Sequence, residues 1–167
     1  DNTLNAANPV ISNYGDFYVL INQLNLMISH TESTDLLDAS TKNYYLGEAY
    51  GLRAYVYFHL LRSWGDVVLQ LDYTNGNSID IGNPSKAASS AADVMTQIKK
   101  DIQSSEDAFG DDYSFKYGKC YWSKAATMML KGEVYLWSGK QMNGGESDYT
   151  TAKNALMAVK TAGVGLL

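Results

Sequence analysis

The order of apolar and polar residues along the chain predicts a series of helices. Between residues 16 and about 30, apolar residues recur at steps of three and four positions, which places them on one side of a helix. They are Phe17, Leu20, Ile21, Leu24, Met27 and Ile28. A second helix is predicted over residues 42–64, where apolar and aromatic residues occupy several sides. We expect neighbouring elements to cover this second helix on more than one flank.

The segment after the second helix, DVVLQLDYTNGNSIDIGNPS, has a different pattern. Its apolar positions alternate on both sides of an Asn-Gly pair. These positions are Val67, Leu69, Leu71 and Tyr73 before the pair, and Ile79 and Ile81 after it. The alternation predicts a short β-hairpin or an extended arm near residues 67–82.

Three more helices are predicted after this arm, over residues 93–108, 122–138 and 149–161. The two prolines, Pro9 and Pro84, both lie in polar segments, so the apolar stretches contain no helix breaker. The predicted fold class is therefore all-α, with about five main helices and one small β excursion.

The last two predicted helices fit the tetratricopeptide template, a helix-turn-helix of about 34 residues. Gly132 occupies the position where the first helix needs a small residue, and Gly139 ends that helix. The second and third helices match less closely, because a long arm replaces the turn between them. Each such hairpin buries its apolar face only against neighbours, so we expect two hairpins with one flank left for further structure. The apolar end, TAGVGLL, suggests that further structure follows Leu167 or that another surface packs there.

Composition and charge limit the classes of partner. With 167 residues, 46% of them hydrophobic, the chain is long enough to bury a core and is interpreted as one domain over residues 1–167. The formal charge is -5, and no Lys/Arg cluster forms a basic surface for a nucleic-acid backbone or an anionic membrane. The single Cys120 excludes an internal disulfide framework. No apolar run approaches the ~20 residues that a membrane-spanning helix requires.

No motif for catalysis or for a cofactor is found. The sequence contains no Gly-x-Ser-x-Gly elbow, Walker loop or dinucleotide fingerprint. His30 and His59 lie far apart and neither belongs to a zinc-binding pattern. The carboxylates of SSEDAFGDD lack the spacing of a calcium loop, and we interpret them as a solvated helix end rather than a glycosidase pair. We therefore predict no enzyme activity, no metal and no cofactor.

Arg53 lies in the middle of an apolar helix face. A guanidinium in such a place keeps its charge and must find acceptors, so we predict that Arg53 forms a structural ion pair. Glu133 is a candidate partner. Asn22 and Asn25 on the first helix have amides that suit sugar hydroxyls, but amides flanked by packed apolar residues more often bind loop backbone. We favour the second role for both asparagines.

Four segments of the chain resemble the SusD/RagB family of outer-membrane nutrient-binding lipoproteins. GEAYGLRAYVYFHLLRSWGDVVL is similar to the signature helix of this family, and YGDFYVLINQLNLMI is similar to the helix before it. VMTQIKKDIQSSEDAF and YWSKAATMMLKGEVYLWSGK resemble the two helices that follow. Two departures are mild: Val68 stands where the family commonly has proline, and Ser123 replaces the usual threonine. No single segment is specific, but the four occur in the family's order.

The resemblance implies a partial chain of a larger SusD-like fold, incomplete at both ends. It implies a cell-surface protein of Bacteroidetes-type Gram-negative bacteria, anchored to the outer membrane by a lipid on a cysteine upstream of this chain. The protein would capture oligosaccharides and deliver them to a SusC-like TonB-dependent transporter. The alternative is a tetratricopeptide-type adaptor, which would bind a peptide or partner protein in a groove rich in Lys and Asn. An upstream lipid-attachment cysteine would discriminate between the two.

Sugar binding requires exposed rings for stacking and planar polar groups for hydroxyls, usually on loops that rigid helices support. Three loops offer such groups. They contain Asn8, Asn13 and Tyr14; Tyr73, Asn75 and Asn77; and Tyr113, Tyr117 and Tyr121. In the SusD/RagB family, ligand sites draw on segments near the first helix and on a C-terminal part that this chain lacks. The resemblance therefore favours the N-terminal loop with Asn8, Asn13 and Tyr14.

Overall fold

The computed structural model describes residues 14–74 and 86–164, and these residues form five α-helices. Helix α1 spans Gly15–Ser33, α2 spans Ala39–Trp64, α3 spans Ala91–Phe109, α4 spans Lys124–Gln141 and α5 spans Gly145–Thr161. The all-α prediction is confirmed, and each predicted helix is present. The boundaries differ by a few residues from those that periodicity indicates.

Side-chain caps determine where three of the helices begin. Asp38, Ser90 and Ser123 each accept a hydrogen bond from the backbone N–H three positions ahead, at the starts of α2, α3 and α4. Such a cap satisfies one of the free donors in the first turn of a helix. The cap at Ser123 explains why α4 begins at Lys124 rather than at residue 122 as predicted.

Successive helices pack antiparallel, as helical hairpins require. In the pair α4 and α5, Leu156 lies against Gly132 and Tyr149 lies against Gly139, so rising numbers in one helix meet falling numbers in the other. Residue contacts show the same antiparallel arrangement between α1 and α2, between α2 and α3, and between α3 and α4. A Cβ at Gly132 would lie only 2.6 Å from the Leu156 side chain, so the small residue permits the close approach.

The main core lies between helices α1 to α4. Its fully buried members include Ile21, Tyr57, Phe58, Leu60, Ile98, Ile102 and Val134. In α2, the consecutive residues Val56, Tyr57 and Phe58 are all buried, which confirms that several neighbours cover this helix. A smaller cluster between α4 and α5 contains Ala125, Met128, Ala155 and Val159.

The segment after α2, residues 65–74, is extended and leads back along α1. Gly65 ends α2 with a φ of 72°, a conformation that favours glycine. Within the described ranges the only β-pairing is a single antiparallel bridge between Val67 and Ser89. The described part of the predicted arm is therefore extended without forming a strand. The second half of the predicted hairpin lies outside the described residues.

Candidate functional site

Two asparagines of α1 bind the backbone of the extended segment. Asn22 donates from Nδ2 to the carbonyl of Thr74 at 3.2 Å, and its Oδ1 accepts from the Thr74 N–H at 2.7 Å. Asn25 donates to the carbonyls of Gln70 at 2.9 Å and Asp72 at 3.2 Å. The expectation that both amides bind loop backbone is confirmed. These bonds position residues 70–74 over the groove between α1 and α2.

Two tyrosines also bind this segment. Tyr18 donates from its hydroxyl to the carbonyl of Val68 at 2.8 Å. The Tyr57 hydroxyl donates to the carbonyl of Gln70 at 2.9 Å and accepts from the Gln70 N–H at 2.8 Å. Burial raises the pKa of Tyr57 above its ordinary value, so the phenol stays protonated and keeps its donor. The extended segment therefore forms a fixed side of the groove.

Arg53 forms a buried ion pair with Asp101 of α3 below this segment. Its Nε and Nη2 donate to the two carboxylate oxygens of Asp101, each at 2.7 Å, and Nη1 donates to Oδ1 of Asn25 at 2.9 Å. Arg53 is 5% exposed and Asp101 is 1% exposed. Burial lowers the pKa of Arg53, but the hydrogen bonds and charge of Asp101 outweigh burial, and the net pKa is raised. The guanidinium stays charged.

Glu133 is not the partner of Arg53, contrary to the candidate pairing that the sequence offered. It pairs instead with Arg62, whose Nη1 lies 2.7 Å from its Oε1. Arg62 is nine positions after Arg53, or about two and a half turns of α-helix. The net rotation between the two side chains is therefore about half a turn around the axis of α2. The two arginines therefore point to opposite sides of this helix, and Glu133 lies on the side of Arg62.

A polar cleft of about 320 Å³ lies above the Arg53–Asp101 pair. Helices α1, α2 and α3 and the extended segment surround it. Its lining residues combine hydroxyls, charged groups and aromatic rings, and they include Ser29, Glu32, Tyr50, Tyr73, Lys100 and Ser104. Rings beside convergent polar groups are the usual lining of a site for a small polar ligand.

Some polar groups of the cleft are already paired, whereas others are free. Tyr50 donates from its hydroxyl to Glu32 at 2.6 Å, and burial together with this carboxylate raises the pKa of Tyr50 to about 12. Within the described ranges, the Lys100 amine and the hydroxyls of Tyr73 and Ser104 have no hydrogen-bond partner. These free groups are available to a bound ligand.

The N-terminal loop that the resemblance favours is described only at its last residue. Asn8 and Asn13 lie outside the described residues. Tyr14 is 41% exposed, and its ring packs edge-on against Trp64 at 5.5 Å and lies 5.7 Å from Tyr18. Tyr14 precedes Asn25 by eleven positions, or about 16 Å of helix, so it lies away from the cleft.

The three tyrosines of the loop between α3 and α4 lie in different environments. Tyr113 is half-buried against the cluster that joins α4 and α5. Tyr117 and Tyr121 are 49% and 51% exposed, and their ring centroids are 5.8 Å apart. Tyr117 also contacts Tyr44 of α2 edge-on, at 5.3 Å. Only Tyr117 and Tyr121 therefore present their rings to solvent.

Sequence reasoning did not identify Asp101. A signal was present, because Asp101 interrupts the apolar stripe of α3 that contains Val94, Ile98 and Ile102. A carboxylate in a buried stripe of one helix is the natural partner for an arginine in a buried stripe of another. No sequence pattern indicated the cleft itself, since the cleft depends on how three helices and the extended segment meet.

Among residues 14–74 and 86–164, no group of His, Cys, Asp and Glu side chains is arranged to hold a metal ion. None of the helices in that part of the chain has the length and hydrophobicity needed to cross a membrane.

Comparison with known proteins identifies the family. A family model described as SusD-like, starch-binding and associating with the outer membrane matches residues 1–136, so the chain belongs to the SusD-like family. The four helical segments that carry the resemblance are thus correctly assigned.

Individual relatives agree with this assignment. A SusD superfamily protein from Bacteroides vulgatus is 65% identical, with a TM-score of 0.84 over 93% of this chain and 30% of its own. The SusD-like protein P38 of Formosa agariphila is 30% identical over 87% of this chain and 25% of its own length. A solved complex with a xylogluco-oligosaccharide is 26% identical, with a TM-score of 0.70 over 86% of this chain and 28% of its own. The chain therefore spans about a third or less of these relatives, as expected for part of a larger SusD-like fold.

Proposed function

We propose that the full-length protein captures oligosaccharides at the cell surface and delivers them to a SusC-like TonB-dependent transporter. The matching family is described as starch-binding and associated with the outer membrane, and one relative of the same fold is a complex with a xylogluco-oligosaccharide. The single observation that carries the proposal is the polar cleft above Arg53 and Asp101, because its chemistry suits a sugar.

The free groups of the cleft suit a neutral, hydroxyl-rich ligand. Tyr73 is half-buried and offers a ring and a hydroxyl, while Lys100 and Ser104 offer donors and an acceptor. Glu32 and Asp72 bring negative charges to the lining and Lys100 brings a positive one, so the cleft has no strong excess of one sign. Such a mixture can bind sugar hydroxyls as both donors and acceptors. An anionic or strongly cationic ligand would gain less from it.

The N-terminal loop is proposed as a second contact region, through Asn8, Asn13 and Tyr14. Tyr14 supports this proposal because it lies just before the first turn of α1 and its exposed ring is fixed against Trp64, the last residue of α2. A ring held in this way loses little conformational entropy when a ligand stacks on it.

The proposed location is the outer face of the outer membrane, with the lipid anchor on a cysteine that precedes this chain. The proposed role is binding rather than catalysis, in keeping with a family whose description names binding. The family match and the polar cleft favour this receptor over a peptide-binding adaptor. A lipid-attachment cysteine in the full gene would support the receptor, and a transporter gene beside it would strengthen the case.

Affinity gel electrophoresis and calorimetry of the full-length protein test the proposal. The ligands are starch, xyloglucan and their oligosaccharides. We expect one of these glycans to bind, and Tyr73→Ala or Lys100→Ala to weaken binding about tenfold through lost hydrogen bonds and ring contact. Tyr55→Ala and Lys153→Ala, at exposed positions outside the cleft, are the matched controls. Equal affinity in all four folded variants would exclude the cleft, and binding of none of these glycans would contradict the proposed ligand class.

A further inference from the structure

A second cavity lies at the N-terminal end of α2. It has a volume of about 250 Å³ and is formed by α2, the end of α3 and the loop after α3. An amide, a carboxylate, an amine and two rings surround it, from Asn43, Asp112, Lys116, Tyr44 and Phe109. The polar and aromatic groups of this cavity resemble those of the cleft above Arg53.

Helix geometry places the cavity and the cleft along one groove between α2 and α3. On α2, Asn43 lines the cavity and Tyr50 lines the cleft, and seven positions bring a helix back to the same side after about 10 Å. On α3, Ala108 and Asp101 have the same spacing and the same two roles. Between the two α2 positions, Gly47 is buried against the Phe109 ring, and its carbonyl accepts a hydrogen bond from the Ser105 hydroxyl at 2.6 Å, so the two helices touch at the base of this groove.

Two exposed tyrosines lie at the rim of the second cavity. Tyr117 contacts Tyr44, which lines the cavity, and Tyr121 packs against Tyr117. The Lys116 amine lies 5.3 Å from the ring centre of Tyr44 and 5.8 Å from that of Tyr117. These cation–ring contacts fix the arrangement, while about half of the surface of Tyr117 and Tyr121 stays open to solvent.

We propose that the cleft and the second cavity are two subsites of one track for a single glycan chain, with Tyr117 and Tyr121 as a stacking platform at its far end. This inference rests on the proposed function and adds that the ligand is an extended chain of several sugar units. A short oligosaccharide fills the cleft alone. A longer chain continues along the α2–α3 groove and gains the platform.

Chain-length dependence of affinity tests this inference. Calorimetry of the full-length protein uses malto-oligosaccharides and xyloglucan oligosaccharides of increasing length. We expect the wild type to bind long chains more tightly than short ones. The double variant Tyr117→Ala/Tyr121→Ala should bind short chains normally and lose about three- to tenfold in affinity for long chains, which is the range expected for ring stacking. The double variant Tyr117→Phe/Tyr121→Phe keeps both rings and should bind long chains with the affinity of the wild type.

Tyr73→Ala in the cleft is the comparison variant, because it should weaken binding of short and long chains alike. Unchanged affinity of the double alanine variant for long chains would overturn the track while leaving the proposed function intact. A lowered melting temperature with unchanged affinity would overturn it too, because the rings would then contribute only to packing, through contacts such as that of Tyr117 with Tyr44. If the wild type binds none of these oligosaccharides, the track and the proposed ligand class both fail.

Discussion

Arg53 donates two parallel hydrogen bonds of 2.7 Å to the two carboxylate oxygens of Asp101, and both side chains are buried. This pair joins α2 to α3, and a third bond, to Asn25, joins both helices to α1. The fork of a guanidinium matches a carboxylate in geometry and charge, so the pair is tolerated inside the core. It also forms the base of the cleft.

The first prediction concerns this pair. Arg53→Met leaves the Asp101 carboxylate buried without a cation, so we expect the free energy of unfolding to fall by about 3–5 kcal/mol. Urea denaturation measures it. Arg53→Met/Asp101→Leu removes both charges and should regain much of the loss. Unchanged stability of Arg53→Met would contradict the structural role of the pair.

The second prediction concerns the attachment of the extended segment. Asn22→Ala removes the acceptor of the Thr74 N–H, so we expect hydrogen exchange at the Thr74 amide to become faster. The Gln70 amide is bonded to Tyr57 instead and should keep its rate. Asn154→Ala, at an exposed position of α5, is the matched control. An unchanged rate at Thr74 would mean that Asn22 does not hold this segment in solution.

The third prediction concerns the close approach of α4 and α5. Replacing a helical glycine with alanine ordinarily stabilises by about 0.5–1 kcal/mol. At Gly132 we expect the opposite sign, a loss of about 1–3 kcal/mol, because the new Cβ meets Leu156 at 2.6 Å. Thermal unfolding of Gly132→Ala, Leu156→Ala and the double variant measures the coupling. The two losses should be less than additive, and simple additivity would show that the residues do not touch.

The fourth prediction concerns stability at acid pH. Burial raises the pKa of Asp148, but hydrogen bonds from Lys99 and Ser138 outweigh burial, and the net pKa lies below its ordinary value. A lowered pKa in the folded state adds stability above the pKa of the unfolded chain, about 4, and this stability is lost as pH falls through the folded value. Asp148→Asn should therefore cost about 1–3 kcal/mol at pH 7 and progressively less below pH 4.

Urea denaturation at pH 7, 5 and 3 checks the sign. Glu146→Gln is the control, because Glu146 lies in the same first turn of α5 but is exposed. A cost of Asp148→Asn that stays constant across this pH range would mean that the ionised carboxylate is not its source.

The fifth prediction concerns the N-terminal loop. Asn13→Ala/Tyr14→Ala in the full-length protein should lower glycan affinity about tenfold, because it removes an amide and an exposed ring from the proposed contact region. Retardation in a glycan-containing gel measures the effect. Asn154→Ala/Tyr55→Ala removes the same two residue types at exposed positions elsewhere. Unaltered retardation of the Asn13/Tyr14 variant would remove this loop from the site.

The sequence alone determined the helices. Helical periodicity is local: an apolar stripe such as Ile21, Leu24 and Ile28 depends on residues only a few positions apart. Two further features follow from neighbouring residues in the sequence: the small residue at position 132 and the need of Arg53 for a hydrogen-bond acceptor. The same local patterns, taken in order, were enough for the family.

Only the tertiary structure decided which groups meet. Arg53 is 48 positions from Asp101, and Asn22 is 52 positions from Thr74. Periodicity places each side chain on a face of its own helix, but the packing of helices determines which faces come together. For that reason Glu133 was a reasonable candidate for Arg53 until the half turn between Arg53 and Arg62 assigned it to the other side of α2. The cleft is likewise a product of packing, because its lining comes from four segments far apart in the chain.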